Sequence, residues 1–378
     1  MMLLLWTWAW TLLTLVTVVN SASSVASIKN VFNVNLDDNS AGGCGWVGAA
    51  AMETLFSECL TLAKAGLRAI DEYDTSDAAK RLIDAFFRGK KEAPLIPGQL
   101  QEIRDHWLNH GGPVNDGAVI EKPHLFCSDS WLTKLTMQDQ ARNKNGDEIW
   151  DTKADGSRSP VTIGSINEYI QKQQNERNAL RGTGPQNAQA VPYYSVVHKD
   201  YIFDSFYGSY DPQRGYCTPK SNQAATQHIM SPSSITLCPW SFGTRTRAPA
   251  DPKIKSLRHQ AAEPVDTKPA RRIKYAGITK PAARGRKFSG KQELASLMPT
   301  AATLFHETFH LVMGNARTTP NSGEVYPVAK MLGLKHEDAV VNPETFAAVA
   351  VAYDYTLNTD VDEDGNVVEF FTGYTTRG

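Results

Sequence analysis

Apolar and polar positions divide the chain into stretches of different texture. In "CGWVGAAAMETLFSECLTLAKAGLRAIDEY", residues 44–73, apolar residues recur every three or four positions. That is the spacing of one buried helical face, so a long amphipathic helix is expected. "SDAAKRLIDAFFRG" reads as a second helix, with Ser76 or Asp77 as N-cap and an end near Gly89, and "GQLQEIRDHWLNHGG" as a third. From about residue 117 the pattern shortens to β-rich runs, "PHLFCSDSW", "VPYYSVVHKDYIFDSFYG" and "SSITLCPWSFG", separated by turn-forming loops such as "RNKNGDE" and "KADGSRSP". Residues 243–289 are rich in Arg, Lys, Pro and Ala and poor in aliphatics, which predicts a surface insertion, mobile at least in part. Helical spacing then returns in "KQELASLMPTAATLFHETFHLVMGN", with Pro299 in its first turn and Gly314-Asn315 as its stop. Segregated helical and strand regions predict an α+β fold: a helical N-terminal part, a small mixed sheet, and a later helix carrying the chemistry.

Residues 1–19 contain no charged side chain, and the small residues "NSASSVAS" follow directly. This predicts a secretory signal peptide over about residues 1–22, with residues 23–378 as one domain; an uncleaved anchor is the competing reading. With 41% hydrophobic and 21% charged residues, the remainder reads as a soluble globular protein. The formal net charge of -1 argues against a dedicated nucleic-acid binder, and no membrane role is expected after signal removal. Five cysteines, Cys44, Cys59, Cys127, Cys217 and Cys238, predict mostly paired thiols in an oxidising route with one left over. The basic run at 243–289 has two readings: a solvated loop, or a lid or exosite gathering acidic substrate or polymer.

"LFHETFH", residues 304–310, carries the chemistry. Positions four apart lie on one helical face, so His306 and His310 can offer imidazole nitrogens to one ion. Glu307 lies roughly 100° round the helix from His306, displaced as a ligand but near enough to reach a water beside a metal. This is the H-E-x-x-H arrangement of zinc proteases, with Glu307 as general base. A chance match in a chain of this composition is on the order of 1%, so an incidental core helix is the weaker reading. A third protein ligand is needed downstream. The metzincin extension is absent, since Arg317 stands near where a histidine would fall.

The order "ITLCPWSFG", HETFH, "NSGEVYPVAKMLGL" and "NPETFAAVAVAYDYT" resembles the aspzincin group of secreted fungal metalloendopeptidases, the deuterolysin and peptidyl-Lys metalloendopeptidase kind, over roughly residues 40–357. The resemblance implies a zincin-like fold, a Zn²⁺ cofactor, a polypeptide substrate and endo cleavage by a monomer. The family places an aspartate ligand three residues before a tyrosine. Here Gly323 stands in that place, and Glu324, one residue nearer Tyr326, takes over the expectation of third ligand. By the same resemblance Tyr326 would donate its hydroxyl to the oxyanion of the tetrahedral intermediate. Pro327 replaces the glycine expected after that tyrosine.

Glu344 and Asp338 are rival third ligands. Glu344 follows Asn342-Pro343, which is also a good helix start with Asn as cap and an acid near the positive dipole end. "DVDEDGNVVEFF", from Asp360, resembles a calcium loop with Phe371 where the twelfth-position glutamate belongs, so an acidic turn is expected. "SSITLCPWSF" is the candidate edge on which an extended peptide could lie. The alternative function is a secreted zinc-binding or surface-interaction protein with little or no turnover.

Overall fold

The computed structural model describes residues 27–88, 121–179, 190–204, 215–218, 222–227, 230–243, 251–257, 294–314, 317–320, 323–358, 368–371 and 373–377. The expected signal segment, the third helical candidate, most of the basic stretch and the acidic turn at Asp360 to Asp364 lie outside the described residues.

Helices α1 (Ile28–Val31), α2 (Ala49–Asp71) and α3 (Asp77–Phe87) open the fold, with strand β1 (Asn33–Val34) after the first. Then come β2 (His124–Phe126), β3 (Leu132–Lys134), β4 (Trp150–Thr152) and β5 (Arg158–Pro160), followed by α4 (Asn167–Ala179). Strands β6 (Val191–Ser195), β7 (Asp200–Asp204), β8 (Ala224–Gln227) and β9 (Ser234–Leu237) complete the middle. The C-terminal part holds α5 (Leu294–Leu297), α6 (Thr300–Met313), α7 (Val328–Met331), α8 (His336–Ala339), α9 (Pro343–Leu357) and the hairpin β10 (Val368–Phe371) with β11 (Tyr374–Arg377). The fold is mixed α+β with small sheets.

Local chemistry explains most boundaries. Ser76 caps α3, its hydroxyl accepting from the Ala79 N–H at 3.2 Å, and Arg88 ends the helix in the left-handed region at φ 64. The "KADGSRSP" loop turns β4 into β5 through Gly156 at φ 80. Helix α4 has no counterpart in the sequence reading. Its "NEYIQKQQNERNA" is nearly all polar, so it lacks the apolar stripe by which a helix announces itself. The expected single helix from residue 291 onward is two, because Pro299 sits in extended backbone as the N-cap of α6 rather than in its first turn. Gly314 stops α6 as expected, at φ 74.

Four strands form the sheet beside α6, in the order β1-β2-β9-β8. β1, β2 and β9 run parallel and β8 antiparallel to β9, so the sheet is mixed. The expectation that "SSITLCPWSF" forms the peptide-binding edge is corrected here: β9 lies between β2 and β8, and β8 is the edge. An antiparallel sheet, β3-β6-β7, stands apart from it.

α2, α3, α6 and α9 pack against one another around one large apolar core. Leu304 and Phe305 of α6 are fully buried, and Phe309 meets Phe346 of α9 with ring centroids 4.9 Å apart. Burying a side chain of this size contributes about 1.5–3 kcal/mol, so α6 is fixed along its length before its polar residues are considered. Disulfides join Cys44 to Cys127 and Cys217 to Cys238. Cys59 is the thiol left over; it is buried, its S–H donating to the Ala301 carbonyl of α6 at 3.3 Å. Among the described residues no helix is long and apolar enough to cross a membrane.

Candidate metal centre

His306 and His310 are 4% and 6% exposed, one turn apart on α6, and their Nε2 atoms lie 3.2 Å from each other. Glu324 reaches both from the segment before α7: Oε2 is 3.3 Å from His306 Nε2, and Oε1 is 3.2 Å from His310 Nε2. These three residues form a group able to hold a metal ion. Asp338 is not part of it, and Glu344 faces the other nitrogen of His306.

The hydrogen bonds fix what each ring offers. His306 Nδ1 lies 3.1 Å from Glu344 Oε2, and an ionised carboxylate only accepts, so the Nδ1 hydrogen points there. The Thr318 hydroxyl donates to the Gly314 carbonyl at 2.8 Å, which uses its one hydrogen. It therefore accepts from His310 Nδ1, also at 2.8 Å. Both rings, as neutral tautomers, then turn an Nε2 lone pair toward the Glu324 carboxylate. In that state a metal ion or a proton shared among these acceptors relieves their mutual repulsion, beside the hydrogen bond that the Tyr326 hydroxyl donates to Glu324 Oε2. Metal-ligating histidines are commonly oriented in this way, with the second nitrogen donating to a carboxylate or other oxygen.

The spacing is that of a metal-binding group. The two Nε2 atoms lie 3.2 Å apart and each faces its own oxygen of Glu324, at 3.3 and 3.2 Å, while one ligand atom from each residue lies within 4.8 Å of the others. Two imidazoles and a carboxylate are also a donor set that catalytic zinc accepts, with a fourth position left open. The residues present therefore fit zinc.

Comparison with known protein families, curated proteins and solved structures returns no match.

The site's electrostatics favour positive charge. Burial opposes protonation of His306, but the Glu324 and Glu344 carboxylates outweigh it and hold the imidazole well above its ordinary pKa. For Glu324, burial would raise the carboxyl, yet hydrogen bonds to His306 and His310 hold it well below the usual carboxylate range. Burial and the charges of Glu324, Glu307 and Glu344 push the Tyr326 hydroxyl far up, so it stays a donor.

Glu324 is delivered by backbone geometry. Gly323 adopts φ 84, a region costly for any residue with a Cβ, and the turn is closed by its N–H donating to Pro320 O at 2.8 Å. The next peptide is clamped by the buried Asn342 side chain: Val325 N–H donates to Asn342 Oδ1 and Asn342 Nδ2 to Val325 O, both at 3.0 Å. Asn342 stands at the N-cap of α9 as expected, but makes no side-chain cap hydrogen bond; its amide ties the Glu324 segment to that helix instead.

Glu307 is 7% exposed and its Oε2 accepts from the Thr226 hydroxyl of β8 at 2.6 Å. Tyr326 stacks on His306 with ring centroids 5.8 Å apart, is 56% exposed, and donates to Glu324 Oε2 at 2.5 Å. His306, Glu307, Tyr326 and Glu344 all line a cavity of about 840 Å³ bordered by β8. All five expected site residues thus meet at one place. Thr226, Thr318 and the clamping role of Asn342 escaped the sequence reading, because a hydroxyl or amide acting across the fold leaves no spacing signal.

Proposed function

We propose that the chain is a secreted zinc endopeptidase on a zincin-like fold, of the aspzincin kind its motifs resemble. One observation carries the reading: His306, His310 and Glu324 converge as a group able to hold a metal ion, and His306 lines the same cavity as Glu307. His306, His310 and Glu324 would hold the ion. When bound, zinc supplies Lewis acidity, polarising a scissile carbonyl and lowering the pKa of water toward about 7.

The chain's own residues supply the rest. Thr226 occupies one oxygen of Glu307, leaving Oε1 as the oxygen able to take a proton from the attacking water and pass it to the leaving amine. Glu344 and Thr318 keep the two imidazoles in the tautomers that present Nε2. Tyr326, exposed at the cavity, would turn its hydroxyl from Glu324 to the oxyanion as that charge develops. An extended peptide would add to the outer edge of β8, which pairs with no second strand among the described residues. The two disulfides are compatible with an extracellular setting.

The alternative is a zinc-binding or surface-interaction protein without turnover; the engagement of Tyr326 by Glu324 favours it. Hydrolysis of an unfolded protein should be abolished by a chelator and restored by stoichiometric zinc. Zinc uptake with no cleavage of any unfolded protein would select the binder.

A further inference from the structure

We propose that the cavity beside the metal centre selects peptides carrying a carboxylate near the reacting bond, and that Lys253 and Lys255 recognise it. The inference rests on the hydrolase reading for its reaction, but on separate atoms for its selectivity.

Residues 251–257 are, with Gly243, the described part of the basic stretch, and Lys253 and Lys255 stand in the cavity wall. Lys253 N–H donates to the Phe242 carbonyl at 2.7 Å. Lys255 N–H donates to Thr300 Oγ1 at 3.0 Å, and the Thr300 N–H returns to the Lys255 carbonyl at 2.9 Å. Leu257 N–H donates to Glu58 Oε1 at 2.9 Å. Every second residue is thereby anchored. Ile254 and Leu257 pack against the main core, while Lys253 and Lys255 are exposed and both line the cavity. Because Lys255 is tied to the first residue of α6, its position is set by the same helix that carries His306 and His310.

The charge balance gives the sign. Around the centre stand three carboxylates, Glu307, Glu324 and Glu344, against the two charges of a zinc ion. On their own these would leave the cleft slightly negative and repel an acidic peptide. Two lysines without an acidic partner among the described residues reverse that balance. A cleft with low-dielectric walls concentrates such a field on whatever enters it. An exposed ammonium–carboxylate contact is worth a factor of about 2 to 5, so two lysines give roughly a 5- to 20-fold preference, reduced by salt.

The carboxylate could come from an Asp or Glu side chain or from a peptide C-terminus. Matched fluorogenic peptides, differing only in Glu, Gln or Lys flanking the cleaved bond and prepared with free or amidated C-termini, separate these sources. The zinc-loaded protein should cleave Glu peptides with a kcat/KM about 5- to 20-fold above Lys peptides. Lys253→Glu with Lys255→Glu should invert the order, and Lys253→Arg with Lys255→Arg should keep it. A Glu-over-Lys preference that survives amidation assigns the side chain; faster cleavage of free than of amidated peptides, whatever the flanking residue, assigns the terminus. Equal rates for Glu and Lys peptides with no effect of amidation, or a preference unmoved by the charge reversal, overturn the inference while leaving the hydrolase reading intact. Should no peptide be cut, fluorescence anisotropy of the same peptides decides. Acidic peptide bound by the wild type and released by the double reversal upholds the selectivity without the hydrolase, and indifferent binding ends both.

Discussion

Replacing Glu307 by glutamine is expected to lower kcat for peptide hydrolysis by about 10²–10⁴-fold, with zinc content unchanged. The substitution keeps the side chain's length and shape. The glutamine carbonyl can still accept the Thr226 hydroxyl now bonded to Oε2 at 2.6 Å, so the local packing of α6 against β8 has no reason to change. What is lost is the second oxygen: an amide nitrogen has no lone pair for a proton, and the water attacking the scissile carbonyl keeps its own. Glu307 is not among the three converging ligands, so the metal has no reason to leave. Steady-state kinetics beside metal analysis of the purified variant reads both quantities. Activity near wild type would remove Glu307 as the base, and an emptied site would recast it as a ligand.

Glu324→Ala is expected to empty the site, whereas Glu344→Ala should weaken zinc binding by about 10- to 100-fold and Asp338→Ala should leave it unchanged. The difference follows from which nitrogen each carboxylate faces. Glu324 lies 3.3 and 3.2 Å from the two Nε2 atoms, on the side where both lone pairs point. Glu344 lies 3.1 Å from Nδ1 of His306, where it holds the ring's hydrogen and its tautomer. Removing the first deletes a donor atom from the coordination set. Removing the second leaves all three donors but frees one ring to rotate. Competition with a chromophoric chelator across the three variants measures the affinities. If Glu344→Ala loses the metal and Glu324→Ala keeps it, the ligand assignment is reversed.

The sequence carried the parts of this account that depend on short-range order. The helical spacing of "AMETLFSECLTLAKAGL" and the Ser76 cap are periodic or local signals, and both elements form where expected. HETFH is legible because its two histidines must lie one turn apart to share an ion. Glu324 is reached only by resemblance, and it departs from the spacing of the family that the motifs resemble. The geometry supplies the reason the departure is workable: Gly323 takes the positive φ, and the longer glutamate then spans to both rings. Residues whose role depends on contact across the fold were not legible. Thr226 meets Glu307 from 81 positions away, and Asn342 holds Val325 from 17. Nothing in "AATQ" or in the helix start "NPETF" distinguishes such partners from an ordinary strand residue or an ordinary cap. The edge strand was misplaced for a similar reason, since strand order is a tertiary property that the apolar pattern of β9 does not encode.

Anomalous diffraction from crystals of the zinc-loaded protein, recorded on either side of the zinc absorption edge, tests the central claim most directly. The expected result is one peak per chain, about 2.0–2.2 Å from His306 Nε2, His310 Nε2 and a Glu324 oxygen. A peak on the Nδ1 side of His306 beside Glu344, or no peak at full zinc loading, would contradict it.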